Sequence, residues 1–149
     1  MSNSVMAEIV DRYERATYMI NRRLSSKIRE GLPNDITPEQ MFILRYLKHN
    51  TFVSSSELAD LLCVEKSTIS SIINRMVNKG YVERIPSQED RRVVYLQLTE
   101  DGKQQYEGME HIIYSIIEPY ISKIGEKKAF EYIEVLEHIT EVLMLDLEE

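Results

Sequence analysis

The sequence predicts a mainly α-helical chain with one small β-hairpin, an α+β arrangement in which two strands interrupt a run of helices. Three observations carry that prediction. Apolar residues recur at helical spacing through most of the 149 residues. Two β-branched and aromatic runs, Tyr81-Val82-Glu83-Arg84-Ile85 and Val93-Val94-Tyr95-Leu96-Gln97-Leu98, flank the turn-rich segment Pro86-Ser87-Gln88-Glu89-Asp90-Arg91-Arg92. Finally, Gly, Pro and Ser/Thr stand where helices would stop and start.

The first element is an amphipathic helix from Glu8 to about Arg29, with Ile9, Tyr13, Ala16, Ile20, Leu24 and Ile28 along one stripe. It stops at the breaker cluster Gly31-Leu32-Pro33-Asn34. Thr37 then reads as an N-cap, with Pro38 at the first helical position and Gln40 closing a capping box. That helix runs to about His49. Ser54 with Glu57 repeats the signature and opens a short helix through Leu62. Cys63-Val64 makes a tight turn into a helix from about Glu65 to Lys79, and Gly80 is placed to cap its end in the left-handed region. The hairpin follows. Thr99 caps a helix beginning Glu100-Asp101, acidic residues suited to a helix N-terminus, which carries Ile112, Ile113, Ile116 and Ile117 before Pro119 kinks or ends it. A last helix from about Glu126 carries Phe130, Ile133, Leu136, Ile139, Leu143 and Leu147.

Short helix, turn, second helix and hairpin is the order of a winged helix-turn-helix. The predicted organisation is therefore an N-terminal dimerisation helix (1–31), a winged helix-turn-helix lobe (35–99) and C-terminal dimerisation helices (100–149). One lobe cannot cover three further apolar stripes. They bury one another across a two-fold axis in a homodimer, or fold together as a helical subdomain of a monomer.

The helix ahead of the hairpin has an unusual polar face. At about 100° per residue, Ser67, Ser70, Ser71, Asn74 and Asn78 share one side, and Ile69, Ile72, Ile73, Met76 and Val77 the other. A solvated face is ordinarily long and charged. This one is short and uncharged, so the backbone can approach a groove while hydroxyls and amides meet base edges or phosphates. On this reading Ser67, Thr68, Ser70, Ser71 and Asn74 face the major groove. Lys66, Arg75 and Lys79 neutralise phosphates, with Ser54, Ser55 and Ser56 at the short helix's N-terminus as further phosphate contacts. The hairpin tip ends in Arg91-Arg92, and a planar guanidinium suits the narrow, electronegative minor groove. Asp90 would be repelled by phosphate on its own. Its expected place is inside the loop, pre-setting the wing and orienting an arginine.

At this point the chain resembles the MarR family of winged-helix regulators. The resemblance is carried by Ile36-Thr37-Pro38-Glu39-Gln40, Ser56-Glu57-Leu58-Ala59, Val64-Glu65-Lys66-Ser67-Thr68-Ile69-Ser70, Asn78-Lys79-Gly80-Tyr81-Val82-Glu83-Arg84, Asp90-Arg91-Arg92 and Leu98-Thr99-Glu100-Asp101-Gly102. The ordered motifs span residues 36–102, and the flanking helical segments fit the family layout. The resemblance implies a homodimeric transcription factor, a repressor more than an activator, on a palindromic operator of double-stranded DNA. In the family's Asp-x-Arg wing pattern, Asp90 would brace the wing and Arg92 would reach the minor groove. It also implies an effector site between the lobe and the dimerisation helices. The residues placed to line such a crevice are Tyr13, Tyr18, Met41 and Tyr46, for a small molecule such as a phenolic acid.

Composition fits an intracellular, cytoplasmic regulator with no membrane segment. There is no apolar run of transmembrane length, and Met1-Ser2-Asn3-Ser4 lacks the pattern of a signal peptide. A single cysteine excludes an intrachain disulfide framework. Cys63 lies just ahead of a helix N-terminus, which favours a thiolate. Its apolar neighbours Leu61, Leu62 and Val64 favour packing as a small hydrophobe, and that is the expectation. The family's peroxide sensors carry their cysteine in the N-terminal helix, where this chain has none. The net charge of −7 is unevenly held: residues 1–99 carry 14 Lys/Arg against 12 Asp/Glu, and residues 100–149 carry 4 against 13. The acidity thus lies away from the DNA-facing elements. An enzyme is not expected, and neither is a cofactor or metal. The three histidines are far apart in sequence, and no phosphate loop or nucleophile elbow is present. The competing reading is a winged-helix module for protein interaction whose polar face never meets DNA.

Overall fold

A computed structural model of the chain describes residues 2–33 and 35–145; Asn34 of the breaker cluster and Leu147 of the last apolar stripe lie outside the described residues. The first helix, α1 (Asn3–Gly31), starts earlier than its apolar stripe because the Ser2 hydroxyl accepts the Val5 N–H. In α2 (Pro38–His49) the capping box is complete: the Thr37 hydroxyl accepts from the Gln40 N–H, and the Gln40 carbonyl oxygen accepts from the Thr37 N–H, each at 3.2 Å. These bonds satisfy Gln40, whose side chain is buried.

The next element was not foreseen. Val53–Ser54 forms a short strand, β1, before α3 (Ser55–Leu62). Ser54 caps α3 as predicted, accepting from the Glu57 N–H at 3.2 Å. The box stays half-closed, because the Glu57 carboxylate accepts the Tyr46 hydroxyl at 2.7 Å. At the end of α3, Cys63 takes a left-handed conformation (φ 51°, ψ 44°), and the Val64 N–H reaches back to the Ala59 carbonyl. This turn points the cysteine outward. Cys63 is exposed, which corrects the expectation that it packs as a small hydrophobe.

Helix α4 (Lys66–Asn78) buries Ile69, Ile73 and Met76. It ends in a left-handed Gly80 (φ 77°), with the Gly80 N–H on the Val77 carbonyl and the Tyr81 N–H on the Met76 carbonyl. The strands β2 (Val82–Pro86) and β3 (Val94–Leu98) form the hairpin, and the antiparallel sheet has the order β1-β3-β2. Pairing Val82 with Leu98, Arg84 with Leu96 and Pro86 with Val94 puts Arg84 on the face of the sheet that also carries the buried Val82. Helix α5 (Glu100–Ile124) opens on Thr99, whose hydroxyl accepts the Gly102 N–H at 2.9 Å. It continues past Pro119, so that residue does not end it. Helix α6 (Glu126–Leu145) follows a left-handed Gly125.

The chain divides into two compact units, Met1–Ile112 and Ile113–Glu149. The first holds the core of the lobe: Ile43, Leu44 and Leu47 of α2, Leu58 of α3, Ile69, Ile73 and Met76 of α4, Val82, Leu96 and Leu98 of the sheet, and Tyr106 and Met109 of α5. Each large side chain so buried contributes about 1.5–3 kcal/mol, so this core decides the stability of the lobe. The amphipathic helices outside it differ. Neither α1 nor α6 buries any residue among those described, and Ile9, Tyr13, Ile20, Phe130, Ile133 and Leu143 stand exposed. None of the helices, among the described residues, is long and apolar enough to cross a membrane.

Candidate nucleic-acid interface

The core-facing isoleucines of α4 force its opposite side outward. Lys66, Ser67, Thr68, Ser70, Ser71, Asn74, Arg75 and Asn78 are all exposed. Lys79, expected among the phosphate contacts, is held differently. Its ammonium pairs with the Asp35 carboxylate at 3.2 Å and donates to the Asp35 backbone carbonyl. That internal neutralisation leaves it a poor phosphate ligand and makes it a tie between the end of α4 and the segment before α2. Ser54 and Ser55 are half-buried and Ser56 is exposed; the Ser54 oxygen is occupied as the cap of α3.

The wing is closed by its own hydrogen bonds. The Ser87 N–H donates to the Val93 carbonyl at 2.9 Å, and the Val93 N–H to the Asp90 carbonyl at 3.0 Å. The Ser87 hydroxyl accepts from the Glu89 and Asp90 N–H groups. Asp90 Oδ1 in turn accepts the Arg92 backbone N–H at 2.9 Å and Arg92 Nε at 3.3 Å. This pins Arg92 at its backbone N–H and at Nε while its side chain remains 91% exposed. An exposed ion pair of this kind adds little stability, at most about 1 kcal/mol. What the bond supplies is direction: the guanidinium is projected from the tip with its outer N–H donors free of Asp90.

Arg84 is the functional candidate that sequence reasoning missed. It was read as one more strand residue, although strand alternation from the buried Val82 already put it on the α4 side of the sheet. Its Nη2 donates to Asn74 Oδ1 at 2.5 Å, joining the wing to the polar face of α4.

The proposed effector residues are not gathered into one place within the chain. Met41 and Tyr46 pack against the lobe core, and Tyr46 is engaged by Glu57. Tyr13 and Tyr18 lie on α1, 59% and 63% exposed, so they close no crevice there. Among the described residues, open grooves run along single helices, one of them lined by Glu14, Arg15, Thr17, Tyr18 and Asn21.

The geometry just described coincides with a known family. Residues 36–94, from the approach to α2 into β3, match the model of the MarR family. That stretch of the lobe is MarR-like. Its relatives include the multiple antibiotic resistance protein MarR of Salmonella typhimurium, 32% identical over 89 residues, 59% of this chain and 62% of that protein. The transcriptional repressor MdtR of Bacillus subtilis is 29% identical over 96 residues, 64% of this chain and 62% of that protein. The chain thus spans about three fifths of the length of these relatives. Among solved structures, a mutant MarR from E. coli complexed with operator DNA superposes with a TM-score of 0.73 at 25% identity, covering 89% of this chain and 95% of that one. The matched stretch contains the candidate surface described above, from Ser54 to Arg92.

Proposed function

We propose that the chain is a transcriptional repressor that binds a palindromic DNA operator as a homodimer, with α4 in the major groove and the 86–92 wing in the minor groove. The observation that carries this reading is the pairing of an exposed, short-chained polar face on α4 with an arginine held through its backbone N–H and Nε and exposed at its outer guanidinium nitrogens. A groove-reading helix needs the first and a minor-groove contact needs the second. The names of the relatives support it, one being a repressor and another a regulator seen with operator DNA.

The homodimer follows from the unburied apolar stripes of α1 and α6, which a second copy of the chain would cover. A small-molecule effector, such as a phenolic acid, would act by changing the spacing of the two α4 helices. That spacing must match half-sites about 34–36 Å apart. Saturating ligand that leaves operator affinity unchanged removes this role for the ligand tested.

The experiment is selection of bound duplexes from randomised DNA by the full chain. The expected product is a two-fold symmetric site with half-sites one helical turn apart. Replacing both Ile133 and Leu136 with Asp should yield monomer or aggregate and abolish recovery of that site. Recovery of no sequence at any salt concentration would sink the DNA reading in favour of an interaction module. A double variant that stays dimeric in sedimentation would move the interface elsewhere.

A further inference from the structure

The geometry points to Arg84 as a specificity-determining residue that acts through Asn74, making it a donor-only reader of guanine where an unrestrained asparagine would choose adenine. This rests on the DNA-binding reading of α4 and deepens it.

An asparagine side chain carries an acceptor at one end and a two-donor NH2 at the other. When both ends are available, it pairs with adenine, donating to N7 and accepting from N6. Here a guanidinium takes one of the acceptor's two lone pairs, and its positive charge opposes a second donor there. Arg84 Nη2 sits 2.5 Å from Asn74 Oδ1, and a charge-assisted hydrogen bond to a guanidinium is stronger than a neutral one. Arg84 is itself held in place by the sheet. It pairs with Leu96 in register and shares its face with the buried Val82, so its stem emerges beside α4.

The bond fixes the rotation of the amide and turns the NH2 end away from Arg84. Asn74 lies on the polar face with Ser67, Ser70 and Ser71, and all four are exposed. The group offered to the groove is then a pair of donors. Guanine presents two acceptors, N7 and O6, in the major groove, whereas adenine presents one acceptor beside a donor. Arg84 thereby biases one base position without touching that base, and its remaining N–H groups are left for phosphate.

The test is selection from randomised duplexes with the parent, Asn74→Ala, Arg84→Met and Arg84→Lys, each first shown by circular dichroism to be folded. Arg84→Met removes the donor and the charge. Arg84→Lys keeps both, so it separates the hydrogen bond from the shape of the guanidinium. The parent should enrich guanine at one position in each half-site, and Asn74→Ala should make that position degenerate. Arg84→Met should turn it toward adenine, with a swing of about tenfold in the ratio of the two bases. Arg84→Lys should retain guanine. The proposal is overturned if Arg84→Met reads the same base as the parent, if the parent prefers adenine, or if Asn74→Ala leaves the profile intact. A uniform loss of affinity in Arg84→Met with an unchanged base profile also overturns it, reducing Arg84 to a phosphate contact. These failures leave the DNA-binding reading standing. That reading fails separately, and takes this one with it, only if the parent enriches no sequence.

Discussion

Two glycines at the junction of α4, the hairpin and α5 do different work, and the structure separates them. Gly80 has open space around its Cα but a φ of 77°, so a side chain there is strained by the backbone alone. Gly102 has ordinary backbone geometry, yet a Cβ on it would stand 2.0 Å from the Tyr81 carbonyl oxygen. That carbonyl is fixed by the Thr99 N–H at 3.1 Å, so it cannot retreat without breaking the join of strand and helix. Gly80→Ala should cost about 1–2 kcal/mol, the penalty of a left-handed non-glycine residue. Gly102→Ala should cost more, at the upper end of the roughly 1–3 kcal/mol of an overpacked site or beyond it. Urea midpoints of the two variants check the order, and equal midpoints would contradict it. The Gly80 turn was legible in the sequence because a glycine after a periodic run is a local signal. The constraint on Gly102 is set by a residue twenty-one positions away, and no local pattern announces it.

At the level of elements, α2 is joined to α3 and α5 through tyrosine hydroxyls. Tyr46 donates to Glu57 of α3, while Tyr106 accepts from Arg45 Nε and donates to Glu110, each at 3.0 Å. The hydrogen bond to Glu57, followed by burial, raises the Tyr46 phenol above its ordinary value of 10.0. Burial, followed by the bond to Glu110, does the same for Tyr106. A raised pKa means that the fold favours the protonated phenol. The stabilisation is fully present below the unfolded value and is lost as the pH rises through the folded one. The urea midpoint of the lobe should therefore hold steady to about pH 9 and fall above about pH 10, where unfolded tyrosines ionise. Tyr106→Phe should lower the unfolding free energy at neutral pH by about 1 kcal/mol and flatten the alkaline decline. An alkaline slope equal to the parent's would remove Tyr106 from this account. Sequence reading found α2 and α3 because their caps lie within three residues of their partners, and α4 because its apolar and polar residues keep helical spacing up to Gly80. It missed β1, since two residues carry no periodicity and Val53 becomes a strand only by pairing with Leu96. It misjudged Cys63 for a related reason: the apolar neighbours were visible, but the left-handed turn that faces the thiol outward was not. Arg84 was visible only as an alternation, and its partner Asn74 is supplied by tertiary structure.

For the molecule as a whole, charge and apolar surface are distributed to suit one arrangement. The acidic residues concentrate in 100–149, while α4 and the hairpin present the exposed cations Lys66, Arg75, Arg84, Arg91 and Arg92, and α1 carries a further exposed set. Among the described residues, α1 and α6 bury no side chain, the surface from which the homodimer is proposed. The central claim is that the lobe grips DNA with both α4 and the wing. Its most direct measurement is a salt titration of affinity for the selected operator and for a scrambled duplex, made with the parent and with Arg92→Ala. The parent should lose affinity steeply with salt on both duplexes. Arg92→Ala should bind both more weakly and flatten the slope by about one unit per protomer, the signature of one lost phosphate-region contact. If Arg92→Ala binds like the parent at every salt concentration, the wing does not touch DNA, and the two-point grip is wrong.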